Sequence, residues 1–590
     1  METNEKLHNI RHSLAHLLAM AVLEKDPGAK LGIGPVIDNG FYYDFQFSEG
    51  YTPSPEDLKG FQKAMKKMIG RGLAFKGRAV SADEAKKMFA AQPFKTELIN
   101  EFASEGKGLT LYTTGLPAQA GDFTDLCKGG HVETTKEIDT DAFAITHTAG
   151  AYWRGNEKNP MLTRIYGLAF ETGADLDAYL KQQEEAKKRD HRIIGAQLKL
   201  FTVSPLIGSG LPLMKPRGMI IRKEIENYLW SLHKEKGYSQ VWTPHIAKED
   251  LYITSGHAAK FGDELFRVQG KEEKFIMKPM NCPHHMQIFA DDQFSYRDMP
   301  VRYFEPATVY RDEKSGQLSG LTRVRAITQD DGHLFCRTSQ IEEEVSTIVN
   351  IIKEFYTTFG MIDGYWVSLS VRGEDKSTSI GSDEAWVMAE TALEKAAQAN
   401  KLNYKRVEGE AAFYGPKLDF MFKDAIGRQW QLATIQCDFN LPERFELSYA
   451  NEKGDRERPV VIHRAISGSL ERFMGVMIEH FAGAFPLWLS PVQVKILPIS
   501  EKYAEYAEKV RAELMDAGIR VELDDSNESL GKRIRIAKTE KVPYILVLGE
   551  KEAEAGTVTA ERRDGAHIDA TPLADFIATT KEEISTKEIW

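Results

Sequence analysis

The chain has 590 residues, which at about 150 residues per domain predicts three to five domains. Hydrophobic residues make up 42 % and charged ones 28 %, and no stretch approaches the roughly 18 uncharged apolar residues of a spanning helix, so membrane insertion is excluded. With 76 Lys and Arg against 87 Asp and Glu the net charge is −11, which excludes sequence-independent coating of DNA and leaves RNA binding to local basic patches.

The opening segment METNEKLHNI has neither the basic start nor the apolar run of a secretory signal. Four cysteines, Cys127, Cys282, Cys336 and Cys437, stand far apart, which is no disulfide framework and predicts a reducing, cytoplasmic setting. Residues 1–172 mix short helices with aromatic, Gly-punctuated strands such as GIGPVIDNGFYYDF. A linker over 173–198 follows. From Leu176 to Leu198 it is densely charged and has no Gly until Gly195, which predicts one exposed connecting helix. Residues 199–488 form a long block of helices and apolar strands. Residues 489–590 alternate cleanly: strand VQVKIL, a helix from Glu501 to Ala517, strand RVEL, helix SLGKRIRIAKT and strand YILVLG. Tyr503, Tyr506, Val510 and Leu514 share one face of the first helix, and Gly518 stops it. That order predicts a small α/β domain.

Two spacings in the first region carry chemistry. HSLAH puts His12 and His16 on one helix face, about one turn apart. DLCKGGH puts Cys127 and His131 four apart in a Gly-containing turn, with Asp125 beside the cysteine. Three imidazoles and a thiol form a soft set able to hold zinc, but imidazoles also position and polarise a water without metal, so both chemistries stay open. A lone HxxxH is most often two unrelated histidines; two such pairs in one region favour a shared site.

In the central block, YRDEKSGQLSGLTRVRAITQDDGHLF reads as two extended runs joined by a polar, Gly-rich loop. Arg311 and Glu313 close the first run, and Arg323 and Arg325 open the second. Guanidinium forks there suit a triphosphate or a carboxylate, although salt bridges across a hairpin are the commoner fate of such residues. HRAISGSLERF opens an apolar helix after Gly468 with Arg472 one turn in. No GxxxxGK[ST] loop and no GxGxxG after a strand occurs, so any nucleotide is held in another way.

These residues resemble the catalytic domain of class II aminoacyl-tRNA synthetases. GMIIRKEIENYLWSLHKEKGYSQVWTP is similar to motif 1, VRYFEPATVYRDEKSGQLSGLTRVRAITQDDGH to motif 2, and GSLERF to motif 3. Within the class, KPMNCP, TRVRAITQDDGH, FYGPKLDF and VIHRAISGSLERF resemble the threonyl-tRNA synthetases, and the likeness covers essentially the whole chain. The fold it implies is a multidomain α/β and α+β protein: an N-terminal α+β editing domain over 1–172, a linker helix, an antiparallel-sheet catalytic core over 199–488, and an α/β anticodon-binding domain over 489–590. The resemblance implies Cys282, His333 and His463 as ligands of one zinc per subunit. It implies Arg311, Glu313, Arg323, Gln431 and Arg472 around ATP with Mg²⁺, and Lys417 near the phosphates. Arg311, Arg472 and Lys417 are the catalytic candidates. Gln329, Asp331, Tyr414 and Gln436 are implied for L-threonine, and a homodimer through motif 1. The partner the resemblance implies is the tRNA for threonine.

The implied reaction has two steps: threonyl-adenylate forms from ATP, and the 3′-terminal adenosine of the tRNA then takes the threonyl group. A site that binds the substrate hydroxyl rejects valine by about 10⁴–10⁵, whereas the one methyl separating serine from threonine is worth only roughly 1–3 kcal/mol. A second, hydrolytic site is therefore expected, and the family places it in the first domain, at His12, His16, Lys95, Asp125, Cys127 and His131. The sequence also departs from the family pattern. His284 and Gly130 stand where Gly and Pro are common, the latter predicting a looser turn around Cys127, and Ala326 and Ala433 stand where glycines are usual. The chain begins almost directly at HSLAH, where the family usually carries a small extra domain. In the last domain Lys532, Arg533, Arg535 and Lys538 form a basic stripe expected to face the anticodon, and Glu552 lies in a segment resembling the anticodon-reading stretch.

Overall fold

The structure, a computed structural model, describes residues 2–116 and 123–590 (of 2–4 the backbone only). It divides into two compact units, Met1–Glu184 and Glu185–Trp590.

In the first unit the helix Glu2–Lys25 is buried over much of its circumference, with Leu14, Leu17, Leu18 and Val22 fully enclosed. It shares a core with the helix Pro55–Arg71, whose Phe61 and Met65 meet Phe41 and Phe45 of the strand Gly40–Gln46. Ser54 and Asp57 form a capping box at the start of that second helix, Pro55 occupies its first turn, and Gly72 in the left-handed region ends it. The main sheet runs in the order Lys30–Leu31, Gly40–Gln46, Met161–Ala169, Phe143–Tyr152. A second antiparallel sheet of Ala74–Val80, Leu109–Gly115 and Phe123–Leu126 carries Asp125 and leads directly into Cys127.

The connecting helix expected over 176–198 is two helices, Gly173–Lys188 and His191–Gln197. Asp190 interrupts the run because its carboxylate accepts from the Arg192 N–H and so starts a new helix as its N-cap.

The second unit is built on an eight-stranded sheet. Its order is Ser239–Gln240, Val301–Tyr310, Ala326–Cys336, Val460–Ser469, Gln429–Asp438, Lys417–Lys423, Trp366–Val371 and Tyr404–Glu408. All neighbours are antiparallel except the outermost pair at each edge. Helices Ile341–Thr358 and Leu470–His480 contribute Ile348, Ile352, Phe473 and Val476 to the core, together with Leu334, Ile462 and Ile435 from the strands. The C-terminal segment forms a five-stranded sheet in the order Val521–Leu523, Val494–Pro498, Tyr544–Leu548, Thr557–Arg562, His567–Pro572, the first three parallel and the rest antiparallel. Its first helix, Ala504–Asp516, buries Val510 and Leu514 of the expected face together with Ala507; Tyr506 is half-buried, and Tyr503 lies in the single turn Glu501–Tyr503 that precedes the helix. Among the described residues no helix is long and apolar enough to cross a membrane.

The basic stripe of the helix Leu530–Thr539 is thinner than its sequence suggests. Arg533 is turned inward with Ala537, one turn away on the buried face, and donates to the carbonyls of Asp524 and Pro498. Lys532 pairs with Glu528 and Lys538 with Glu561, which leaves Arg535 exposed. Glu552 accepts from the Gly549 N–H and the Thr559 hydroxyl, closing the start of the helix Glu550–Ala555.

Candidate functional site

In the second unit, Cys282 opens the helix Cys282–Asp291, and His333 stands directly opposite His463 on adjacent strands. Opposed residues of an antiparallel pair point to one face, so these two histidines, far apart in sequence, meet with ring centroids 4.6 Å apart. Ligand atoms of the three residues all lie within 4.8 Å of one another, and all three are buried.

The surrounding hydrogen bonds decide which nitrogens face the cluster. Asp438 lies 2.9 Å from His463 Nε2, which therefore carries the proton and donates; Nδ1 is left buried and without a partner. His285 Nε2 donates to Glu305 at 3.0 Å, so its Nδ1 accepts from His333 Nδ1 at 2.7 Å and leaves the lone pair of His333 Nε2 free. Glu305 is itself fixed by the amide and hydroxyl of Thr243. Burial, with Asp331 and Asp438 nearby, pushes the Cys282 thiol well above its ordinary range, a cost that a bound cation would reverse. Two oriented imidazole lone pairs, one of them orphaned, and a buried thiol fit a zinc ion with coordination positions left for substrate. His284 is outside this cluster; its ring centroid lies 6.1 Å from that of Tyr252, and both of its ring nitrogens are buried without a partner among the described residues.

A cavity of about 350 Å³ adjoins the cluster, bordered by Arg311, Gln329, Asp331, Tyr414, Gln431, Gln436 and Arg472 as well as by His333 and His463. Asp331 accepts from Asn281 at 3.1 Å, and Tyr414 donates to Gln436 at 2.6 Å. Gln329 keeps a buried, unpartnered carbonyl oxygen. Arg311 has no ion pair among the described residues; its guanidinium contacts the Met280 sulfur at 3.0 Å and lies over the Phe261 ring. Arg472 sits in the first turn of the helix Leu470–His480, whose N-cap is Ser469. Four expected residues do not border the cavity: Cys282, which lies behind the two histidines, and Glu313, Arg323 and Lys417. Glu313 and Arg323 pair with each other at 2.7 Å, and Lys417 pairs with Asp419 at 2.5 Å. Lys417 stands opposite Gln436, so it belongs to the same face of the sheet.

The first unit contains a second cavity, of about 400 Å³, bordered by His12, His16, Tyr43, Lys95, Asp125 and Cys127. His131 stands just behind, stacked on Phe75 and against His12. Cys127 Sγ lies 3.4 Å from His12 Nε2 and 3.1 Å from His131 Nε2. Burial pushes the Cys127 thiol up to about 11 and His131 down to about 2, the latter helped by His16 and His12. His16 is also driven well below its ordinary value by burial. At neutral pH the cluster thus presents uncharged rings and a thiol. Lys95 and Asp125 form a buried pair at 2.6 Å, and the Tyr43 hydroxyl bridges them, accepting from Lys95 and donating to Asp125. Gly129 and Gly130 have φ of +98° and +83°, a conformation closed to proline. The turn is held, because the Gly129 N–H donates to Cys127 Sγ at 3.3 Å and Ser13 Oγ meets both His131 Nδ1 and the Val132 N–H.

Tyr43, Ser13, Asn281, His285 and Glu305 escaped the sequence reading. Ser13 lies inside HSLAH, Asn281 inside KPMNCP, Glu305 inside the motif 2 segment and Tyr43 inside GIGPVIDNGFYYDF, with His285 two residues beyond KPMNCP; none carries a local signal that separates it from core or surface residues.

Comparison with known proteins supplies the family. A profile described as tRNA synthetase class II core domain (G, H, P, S and T) matches residues 266–481. An anticodon binding domain profile matches 493–583, and one described as threonyl and alanyl tRNA synthetase second additional domain matches 110–166. The threonine–tRNA ligase of Gloeobacter violaceus is 48 % identical over 99 % of this chain and 93 % of its own length. That of Thermus thermophilus is 46 % identical over 98 % of this chain and 89 % of its own. Among solved structures, the RNA-binding domain of threonyl-tRNA synthetase from Cryptosporidium parvum Iowa II is 37 % identical, covering 67 % of this chain and 98 % of that one with a TM-score of 0.64. Identity at this level, sustained from one end of the sequence to the other, makes the chain a member of the threonine–tRNA ligase family of class II aminoacyl-tRNA synthetases.

Proposed function

We propose that the chain attaches L-threonine to its tRNA through threonyl-adenylate in the second unit and hydrolyses mischarged seryl-tRNA in the cleft of the first. The observation that carries the synthetic half is the shared cavity: His333 and His463, whose ligand atoms cluster with that of Cys282, border the same space as the arginines Arg311 and Arg472. The threonine carboxylate attacks the α-phosphate of ATP in line and pyrophosphate leaves. Arg311 and Arg472, with Mg²⁺ accompanying the nucleotide, neutralise the charge that develops at phosphorus. Glu313 and Arg323 exchange their mutual pair for contacts to ATP, Gln431 faces the adenosine, and Lys417 adds charge near the phosphates. Gln329, Asp331, Tyr414 and Gln436 orient the amino acid so that its carboxylate meets the phosphorus. When bound, zinc at Cys282, His333 and His463 supplies a Lewis-acid seat for the substrate's amino and hydroxyl groups. A hydroxyl of the 3′-terminal adenosine of the tRNA then attacks the adenylate carbonyl, the acyl–phosphate bond breaks and AMP leaves.

Serine presents the same amino and hydroxyl groups, so the synthetic site leaks by its one-methyl margin. In the first unit His12 and His16, held neutral, offer lone pairs to an attacking water, His131 backs Cys127 from behind the cleft, and Cys127, Lys95 and Asp125 fix the ester beside it. We further assign a homodimer in the cytoplasm. Trp242 in the motif 1 segment is 74 % exposed and Leu206 is 97 % exposed, apolar surface suited to a second copy. All four cysteines are free.

Amino-acid-dependent pyrophosphate exchange tests the synthetic reading. Threonine should support it fully, serine at roughly 10- to 200-fold lower kcat/KM, and valine at about 10⁴-fold lower or less. Faster exchange with a different amino acid, or none with any, overturns the assignment.

A further inference from the structure

Asp190, His191 and Glu479 come together with the spacing of metal ligands, yet both ring nitrogens of His191 are already committed. The Leu321 N–H can only donate, so His191 Nε2, 3.0 Å away, accepts from it. Nδ1 then carries the proton and donates to Glu479 Oε1 at 2.6 Å, the same oxygen that takes the His191 backbone N–H at 3.1 Å. The other Glu479 oxygen accepts from Arg428. His191 and Glu479 are both almost wholly buried. His191 and Glu479 form a strut, and what it holds is the loop of motif 2.

The loop is shaped to sit on this ring. Gly320 adopts φ +49°, and a Cβ there would lie 2.1 Å from His191 Nε2, so only glycine lets the backbone come this close. Leu321 is fully buried beside it. Gly475, in the helix Leu470–His480, also approaches closely: a Cβ there would meet Thr322 Cγ2 at 3.1 Å, Leu321 Cβ at 3.4 Å and His191 Cδ2 at 3.6 Å. The next carbonyl along, that of Thr322, accepts from Arg472 Nε at 3.2 Å. One residue further, Arg323 turns to Glu313. The first residue of the helix His191–Gln197 thus fixes the backbone that aims two of the nucleotide-binding candidates.

We infer that His191 is a positioning residue for ATP: by holding the Leu321 amide it sets the Thr322 carbonyl that orients Arg472. The inference rests on the proposal that Arg472 binds ATP. It is tested by pyrophosphate exchange with the full-length protein, measuring KM for ATP and for threonine separately. His191→Leu removes the acceptor and should raise KM for ATP about tenfold while changing KM for threonine by less than about twofold. His191→Gln places an amide oxygen where Nε2 was and should recover most of the ATP affinity. Gly320→Ala leaves His191 in place but drives a methyl into its ring, and should reproduce the His191→Leu signature; it decides the matter if His191→Leu does not fold. Equal rises in both KM values, or an unchanged KM for ATP in His191→Leu and Gly320→Ala, overturn the inference. Arg472→Ala separates the two readings. If it leaves KM for ATP and kcat unchanged, the nucleotide role of Arg472 fails; if it impairs them while the other variants do not, only the strut fails.

Discussion

Replacing Cys282 with Ser should remove the bound zinc and reduce threonine activation to background. A serine hydroxyl is not ionised at neutral pH and is a poor ligand for a borderline-soft cation, so only His333 Nε2 and His463 Nδ1 would remain to hold the ion. Those two lone pairs are oriented at the cluster by Glu305 through His285 and by Asp438. Metal analysis of the parent should therefore give about one tightly held zinc per chain, and of the variant almost none. Cys127→Ser, in the other unit, should leave that zinc in place. Full activation by a zinc-free Cys282→Ser protein would contradict the ligand assignment.

Arg311→Ala should slow adenylate formation by about 10²–10³, the usual consequence of deleting one charged partner of a developing anion. Arg311 has no ion pair among the described residues and is held by Met280 and Phe261, with Glu313 and Glu264 acting on it only through space. Arg472→Ala should behave similarly. Arg311→Lys should recover little, because an ammonium cannot reproduce the planar two-point contact. The measurement is the single-turnover rate of adenylate formation at saturating threonine. Near-normal rates in Arg311→Ala would return this residue to a packing role.

What could be read from the sequence divides along the range of the interactions concerned. The helix around Val510 and Leu514 was legible because a 3.6-residue period is a local property. His12 and His16 were legible as a pair for the same reason. Arg533 misled because four cations in one helix read as a single stripe, whereas the carbonyls of Asp524 and Pro498 that draw it inward come from elsewhere in the fold. The break at Asp190 was hidden by dense charge that is equally compatible with one helix, and the competing signal, an acidic N-cap, is a single residue. Cys282, His333 and His463 could be joined only through family motifs. Nothing in their spacing foretells that residues 333 and 463 occupy opposed positions on neighbouring strands. His285, Glu305 and Tyr43 stayed invisible because their roles are defined wholly by partners across the fold.

The central claim is that synthesis and proofreading are performed by different residues in different units of one chain. The direct measurement is the rate at which preformed seryl-tRNA for threonine is deacylated by the parent, by Cys127→Ala and by His16→Ala, with threonine-dependent pyrophosphate exchange followed on the same preparations. The account predicts that both variants keep parental exchange and lose deacylation, so that seryl-tRNA accumulates when serine is supplied. If Cys127→Ala and His16→Ala hydrolyse seryl-tRNA as fast as the parent, the cleft lined by His12, His16, Lys95, Asp125 and Cys127 is not the proofreading site.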